Sequence, residues 1–255
     1  MGWDFPREIH TMKESIEVLD DLIGWGQWEE SLIGYFAALY RKVGWAIEAA
    51  LQAGKFEHPD TLVKLDVVFF NRYLEALHLW HTGEGASAPW QIAFDATRDE
   101  KLIVLQHLAM AMNAHIDLDL GVATADVVPE EDLLAFRKDF DTMNAVLASL
   151  MHDVENDMGL IFALLKPINC LFGPEEDGIL DLSMDEVRAR AWANCLRLSR
   201  LEGEARAEAI ERLAASTATL SCIIRDPGPL GSLAVQWIRR RESGDVAQKI
   251  EDLTK

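Results

Sequence analysis

Apolar residues along most of the chain recur at intervals of three and four positions, the spacing that places them on one face of an α-helix. No stretch alternates apolar and polar residues for long enough to predict a β-strand. The pattern therefore predicts an all-α protein, a single bundle-like domain of about nine helices. We predict that this domain covers residues 1–240 and that the charged residues 241–255 form a C-terminal tail.

Glycine, proline and polar residues mark the predicted ends of several helices. A first helix is predicted over residues 7–23, a second ends near Gly54, and a third begins after Pro59. The apolar run before the segment MNAHIDLDLG predicts a helix through the centre of the fold, and residues 167–181 are predicted to be a linker.

Composition excludes several classes of partner. The chain has 255 residues, 49% of them hydrophobic, and a formal net charge of −19. A surface with this charge repels nucleic acid and anionic lipid. No apolar run approaches the roughly 20 residues needed to span a bilayer, and the start MGWDFPREIH lacks the order of a signal peptide. We therefore predict a cytoplasmic protein that binds a small molecule, and leave a homo-oligomer open.

The segment MNAHIDLDLG, residues 112–121, contains the strongest candidate site. His115 and Asp119 are four residues apart and share one helix face, whereas Asp117 points elsewhere. One nitrogen and one carboxylate at this spacing are typical ligands of a divalent ion such as zinc, manganese or iron. The alternative is a buried histidine that Asp119 or a backbone carbonyl holds in place.

A second candidate residue is Asp66, which interrupts the apolar run LDVVFFNRYLEAL and shares a helix face with Tyr73. A buried carboxylate needs a partner, because an unpaired buried charge is costly. A structural partner would be a helix N-terminus, an arginine such as Arg190 or a tyrosine hydroxyl. A functional partner would be a metal or a proton shared with His115. The sequence leaves both open.

These two segments, together with PWQIAFDA, FRKDFDTMNAVL and ARAWANCLRL, resemble an uncharacterised, mostly bacterial family catalogued as a domain of unknown function. That family carries LDVVFAN-Y-like and MNAHIN-x-DLP-like motifs. This chain departs from them at Asp117, where asparagine is usual, and at Gly121, where proline is usual. The resemblance implies one α-helical domain but no activity. Its polar positions correspond to Asp66, Asn71, Tyr73, Trp90, Asn113, His115 and Asp119.

A second resemblance is confined to the H-x-x-x-D spacing of His115 and Asp119. Zinc-dependent phospholipase C is similar in using such a helix, and the resemblance implies that Asp66 stands for an upstream aspartate ligand. The remaining ligands of that enzyme family have no clear counterpart in this chain.

Three functional hypotheses follow. The first is a metal-dependent hydrolase in which His115, Asp119 and Asp66 hold one divalent ion that acidifies a water molecule. The second is a metal-free cyclase, lyase or isomerase of a hydrophobic small molecule. In it, His115 is the general acid or base of an aromatic pocket, and Asp66, Tyr73 and Asn113 complete the catalytic set. The third is a helical binding protein without catalysis.

Overall fold

Ten helices and no β-strand are present in the residues that the computed structural model describes, 4–158 and 184–255. This confirms the predicted all-α fold in one compact domain. The predicted linker at 167–181 lies outside the described residues. Within the described ranges, every helix is too short or too polar to span a lipid bilayer.

The helices follow one another closely along the chain. In order they are α1 (Met12–Trp28), α2 (Ile33–Gln52), α3 (Pro59–Thr82), α4 (Ala88–Ala96), α5 (Val104–Met112), a π-helical stretch (Asn113–Leu120), α6 (Gly121–Val127), a short 3-10 turn (Glu130–Asp132), α7 (Leu133–Met158), α8 (Met184–Leu198), α9 (Gly203–Arg225), α10 (Gly228–Arg239) and α11 (Val246–Thr254). The total of ten counts α5, the π-helical stretch and α6 as one continuous helix.

Helix α1 begins at Met12, five residues later than the pattern predicts, because of a cap just before it. The Thr11 hydroxyl accepts a hydrogen bond from the backbone N–H of Glu14, and the Glu14 carboxylate accepts one from the backbone N–H of His10. This reciprocal arrangement satisfies two backbone donors and sets the start of the helix.

The continuous helix formed by α5, the π-helical stretch and α6 lies at the centre of the fold, as the sequence predicts. Helices α8 and α9 pack against its π-helical stretch, and α3 and α4 contact the same stretch. Seven of the eight residues from Asn113 to Leu120 are buried, so polar side chains in this stretch need partners inside the protein.

Helix α11 lies within residues 241–255, for which the sequence predicts a charged tail. Its apolar residues Val246, Ile250 and Leu253 share one face, and Ile250 and Leu253 are completely buried in the main core against α1 and α2. Gly34 of α2 makes room for Ile250, since a Cβ atom at Gly34 would lie 2.5 Å from Ile250 Cδ1. The end of the chain is therefore part of the domain.

Candidate functional site

A cavity of about 80 Å³ lies where α2, α3, the π-helical stretch, α7 and α8 meet. Apart from four side chains, the described residues that line it are aliphatic, aromatic or methionine. Those four are Tyr40 from α2, Asp66 from α3, His115 from the π-helical stretch and Arg188 from α8. The structure thus brings Asp66 and His115, the two polar residues that the sequence places in the most apolar surroundings, to the wall of one cavity.

His115 is held among aromatic rings. Its imidazole is stacked on Phe69, with ring centroids 3.6 Å apart and planes 8° apart, and the Tyr40 ring lies 4.7 Å away. Neither ring nitrogen of His115 has a hydrogen-bond partner within the described part of the chain. Burial lowers the pKa of His115, and the nearby Asp119 carboxylate opposes this only in part. His115 is therefore a neutral imidazole at neutral pH.

Asp119 pairs with groups other than His115. Its Oδ1 accepts a hydrogen bond of 2.9 Å from Arg72 Nε, and its Oδ2 accepts one of 2.6 Å from the indole N–H of Trp90. The His115 Nδ1 atom lies 3.9 Å from Oδ2, which is too long for a hydrogen bond. Asp119 therefore stabilises the packing of α3 and α4 against the central helix.

Asp66 is a half-buried residue whose carboxylate lacks such support. Its Oδ2 atom is buried and has no hydrogen-bond partner among the described residues. Arg190, the arginine that the sequence suggests as a partner, instead forms an ion pair with Asp117 at 2.9 Å. Burial raises the pKa of the Asp66 carboxyl to about 7, so this group exchanges a proton near neutral pH.

Tyr73 and Asn113, the other two predicted catalytic residues, do not line the cavity. The Tyr73 ring is 6.2 Å from that of His115, and Tyr73 lines a second cavity of about 20 Å³. Asn113 Nδ2 donates hydrogen bonds to the Thr217 carbonyl and the Ser221 hydroxyl of α9. Asn113 therefore joins the central helix to α9.

Two further polar positions of the family pattern have structural partners. Asn71 exchanges two hydrogen bonds with the backbone of Ile9, and so attaches the segment before α1 to α3. Trp90 is fully buried and donates to Asp119. These contacts explain why Asn71 and Trp90 occur in apolar helices, and the explanation requires no catalytic role for either residue.

Tyr40 and Arg188 are the cavity residues that the sequence reasoning missed. The signal for Tyr40 was present, because Phe36, Tyr40 and Val43 share one helix face at the i, i+4 and i+7 positions. Arg188 is buried, donates to Asn144 and lies over the Phe140 ring, at 4.6 Å from its centroid. These contacts join α8 to α7 across a gap of more than 40 residues in sequence, which no local pattern reports.

The predicted metal ligands do not form a metal site that fits. The described residues include no group of three histidine, cysteine, aspartate or glutamate side chains placed to hold an ion. Both oxygens of Asp119 already accept hydrogen bonds from cationic or indole donors, which a divalent ion would displace at a cost. His115 and Asp66 alone are fewer protein ligands than a catalytic zinc ion takes.

A comparison with protein families matched residues 12–227 to the model described as "Family of unknown function (DUF5995)". Separate comparisons with curated proteins and with solved structures found no match. The matched range contains Tyr40, Asp66, His115 and Arg188, and thus all four polar residues of the cavity wall. Because the match covers most of the sequence, the chain belongs to the family of unknown function DUF5995.

Proposed function

We propose that this protein is an enzyme that moves protons on a small, largely apolar molecule, with His115 and Asp66 as the groups that exchange them and without a bound metal. The observation that carries this proposal is the coincidence of unpartnered polar atoms with one apolar cavity. Asp66 Oδ2, both ring nitrogens of His115 and the Tyr40 hydroxyl are buried without partners, and all three residues line that cavity.

Unpartnered buried polar groups argue for a ligand because they destabilise the free protein. Each such group costs about 1 to 3 kcal/mol of folding free energy. Stable proteins keep few of them, and a catalytic or binding role is one of the reasons why such a group persists. A ligand that offers hydrogen bonds to this cluster would recover that free energy on binding.

The protonation states of the two groups suit proton transfer. General acid–base catalysis is most efficient when the pKa of the group lies near the working pH, and burial raises the pKa of Asp66 to about 7. Burial keeps His115 neutral, so its imidazole carries one N–H donor and one acceptor. The cavity therefore offers both a base and a hydrogen-bond donor at neutral pH.

The size of the cavity limits the substrate. A volume of about 80 Å³ is roughly half that of an engineered cavity that binds benzene, about 150 Å³. A molecule of a few non-hydrogen atoms, or the end of a longer one, fits this space. The aromatic and aliphatic wall favours a hydrocarbon body with one polar group.

The proposal is tested with a panel of ketones, alcohols, amines and carboxylic acids of about two to four carbons, a size that suits a cavity about half as large as one that binds benzene. Each compound is incubated with the protein in D₂O at pH 7. Thermal shift reports binding, and NMR reports deuterium incorporation. Wild type is compared with His115→Phe, which retains the ring stacking on Phe69, and with Asp66→Leu. The control is Asp95→Asn, a conservative change of a half-buried residue that does not line the cavity.

Wild type and the Asp95→Asn control should bind at least one compound and exchange its protons, and both cavity variants should lose this activity while remaining folded. A panel in which no compound discriminates between cavity variants and control would refute the proposal. Metal analysis of protein purified without a chelator or a histidine tag provides a second check. Exchange that requires bound zinc, manganese or iron would show that a metal ion takes part and would overturn the metal-free assignment.

A further inference from the structure

The hydrogen-bonding groups of the cavity differ in what they offer at neutral pH. Burial, reinforced by the charge of Asp66, raises the pKa of Tyr40 well above its usual value, so its hydroxyl stays protonated. His115 is neutral and carries one N–H. Tyr40 and His115 are therefore two hydrogen-bond donors, and Asp66 is a proton acceptor once it ionises.

The two donors lie close together. The rings of Tyr40 and His115 are 4.7 Å apart, nearly edge to face, and each residue lines the cavity that Asp66 also lines. Tyr40 is 6% exposed and His115 is 4% exposed, so water competes little for their hydrogens. Two buried donors beside one base match a ligand whose oxygen accepts two hydrogen bonds next to an acidic C–H bond.

We propose that the substrate of this site is a small apolar ketone or aldehyde, whose carbonyl oxygen accepts hydrogen bonds from Tyr40 and His115 while Asp66 takes a proton from the adjacent carbon. This inference rests on the proposed function and adds a catalytic role for Tyr40. An ammonium group fits less well, because it has no lone pair to accept a hydrogen bond from Tyr40 or His115. A carboxylate fits less well because it would lie beside the Asp66 charge.

The chemical step balances within the site. The C–H bond next to the carbonyl breaks, its proton moves to the Asp66 carboxylate, and its electron pair forms a carbon–carbon double bond. The carbonyl oxygen becomes an enolate oxygen that the Tyr40 and His115 hydrogens stabilise, as preorganised donors do in general. Asp66 then returns a proton to carbon. Return to the same carbon exchanges hydrogen with solvent, and return to a conjugated carbon gives an isomer.

Among the described residues, the titratable or charged side chains on the cavity wall are Tyr40 from α2, Asp66 from α3, His115 from the π-helical stretch and Arg188 from α8, whereas α7 contributes the apolar Met143 and Leu147. Charged or titratable groups behind the wall act on Tyr40 or His115, namely Asp119, Tyr73 and Arg72. Of these groups, Asp66 is the one whose pKa is raised by burial to about 7. The rate of proton removal should therefore increase with pH through about 7.

The test uses three probes with the same branched shape: propanone, propan-2-ol and propan-2-amine. Deuterium incorporation into propanone in D₂O is followed by NMR with wild type, Tyr40→Phe and Asp66→Asn. The matched control is Tyr35→Phe, a buried tyrosine of the same helix that does not line the cavity. Because the Tyr40 hydroxyl is buried without a partner in the described structure, Tyr40→Phe should fold stably, with a melting temperature equal to that of wild type or higher.

Wild type and Tyr35→Phe should exchange propanone hydrogens at a rate that rises through pH 7. Tyr40→Phe should slow the exchange about 100-fold or more but keep the same pH midpoint, as loss of an oxyanion donor does. Asp66→Asn should abolish both the exchange and its pH dependence. Equal rates in Tyr40→Phe and Tyr35→Phe, or no exchange by wild type, would overturn the carbonyl assignment. Stabilisation by propan-2-ol or propan-2-amine but not by propanone would overturn it too, and would leave the proposed function standing.

Discussion

Asp66 and Asp119 both have a buried carboxylate oxygen, yet their surroundings give them opposite properties. Asp119 accepts from Arg72 and Trp90, so its charge is compensated where it lies. Asp66 faces an apolar cavity with no partner for Oδ2 among the described residues, so burial favours its neutral form. The first residue stabilises the packing of helices, and the second has properties that suit chemistry.

The raised pKa of Asp66 predicts how stability changes with pH. The folded carboxyl titrates at about 7, whereas an unfolded aspartate titrates near about 3.9. Between these values the folded state holds a proton that the unfolded state has lost. The contribution of Asp66 to the unfolding free energy of wild type is therefore greatest below about pH 4 and is lost as pH rises through 7. Between pH 5 and pH 8, Asp66→Asn should therefore gain roughly 2 to 3 kcal/mol of stability relative to wild type.

Urea denaturation of both proteins at pH 5 and pH 8 measures this difference. Histidines whose pKa values are lowered by burial, such as His107 and His115, titrate in both proteins and contribute equally to each. A difference in unfolding free energy that stays constant between the two pH values would show that the folded carboxylate has a partner.

Asp119 gives a prediction of the opposite kind, since its removal should affect folding. Asp119→Ala would leave the indole N–H of Trp90 and the guanidinium of Arg72 without their acceptor, at a cost of about 3 to 5 kcal/mol. The matched control is Asp95→Ala, which removes the acceptor of the Trp80 indole at a more exposed position. That variant should lose about 1 kcal/mol or less. Chemical denaturation distinguishes the two, and equal losses would contradict the role assigned to Asp119.

The π-helical stretch is the element that positions His115. A π-helix is rare, and it widens the turn locally, so side chains along it take directions that an α-helix would not give them. Directly after it, Gly121 allows α6 to approach α8. A Cβ atom at Gly121 would lie 2.7 Å from the carbonyl oxygen of Ala191. The backbone of α8 is therefore the neighbour that a side chain would displace.

Gly121→Ala should destabilise the protein by about 1 to 3 kcal/mol, because it forces α6 and α8 apart. Gly24→Ala in α1 is the control, since a Cβ atom there meets nothing within 4 Å. That substitution should stabilise the protein by about 0.5 to 1 kcal/mol, since alanine favours a helix interior. Thermal denaturation of the two variants against wild type measures both effects. If Gly121→Ala left the melting temperature unchanged, α8 would be able to move away from α6 without loss of stability.

For the whole molecule, closure of the core depends on α11 at the end of the chain. Ile250 is completely buried between α1 and α2. Ile250→Ala should therefore cost about 2 to 5 kcal/mol of unfolding free energy. Glu251→Ala, at the exposed neighbouring position, should change it by less than about 0.5 kcal/mol. Both are measured by urea denaturation, and an unaffected Ile250→Ala protein would place residues 241–255 outside the cooperative domain, as the predicted charged tail would be.

The sequence by itself determined the helices and the two candidate residues of the cavity. Helical period is a local property, because residues three and four apart meet on one face whatever the rest of the chain does. Asp66 and His115 were recognisable for the related reason that each is a polar residue in an apolar run. Helix α11 carries the same helical period at Val246, Ile250 and Leu253. The signal is weak because this helix has only nine residues and charged residues surround it.

Tertiary structure alone decided which polar groups have partners. Asp119 accepts from Arg72 and Asp117 pairs with Arg190, 47 and 73 residues away in sequence, whereas His115 and Asp66 have no such bond among the described residues. Helical spacing alone predicts that His115 and Asp119 act together, and it does not distinguish Asp66 from Asp117 as the partner of Arg190. The physical reason is that an ion pair forms between groups that packing brings within about 3 Å, and the packing of distant helices depends on the shape of the whole core.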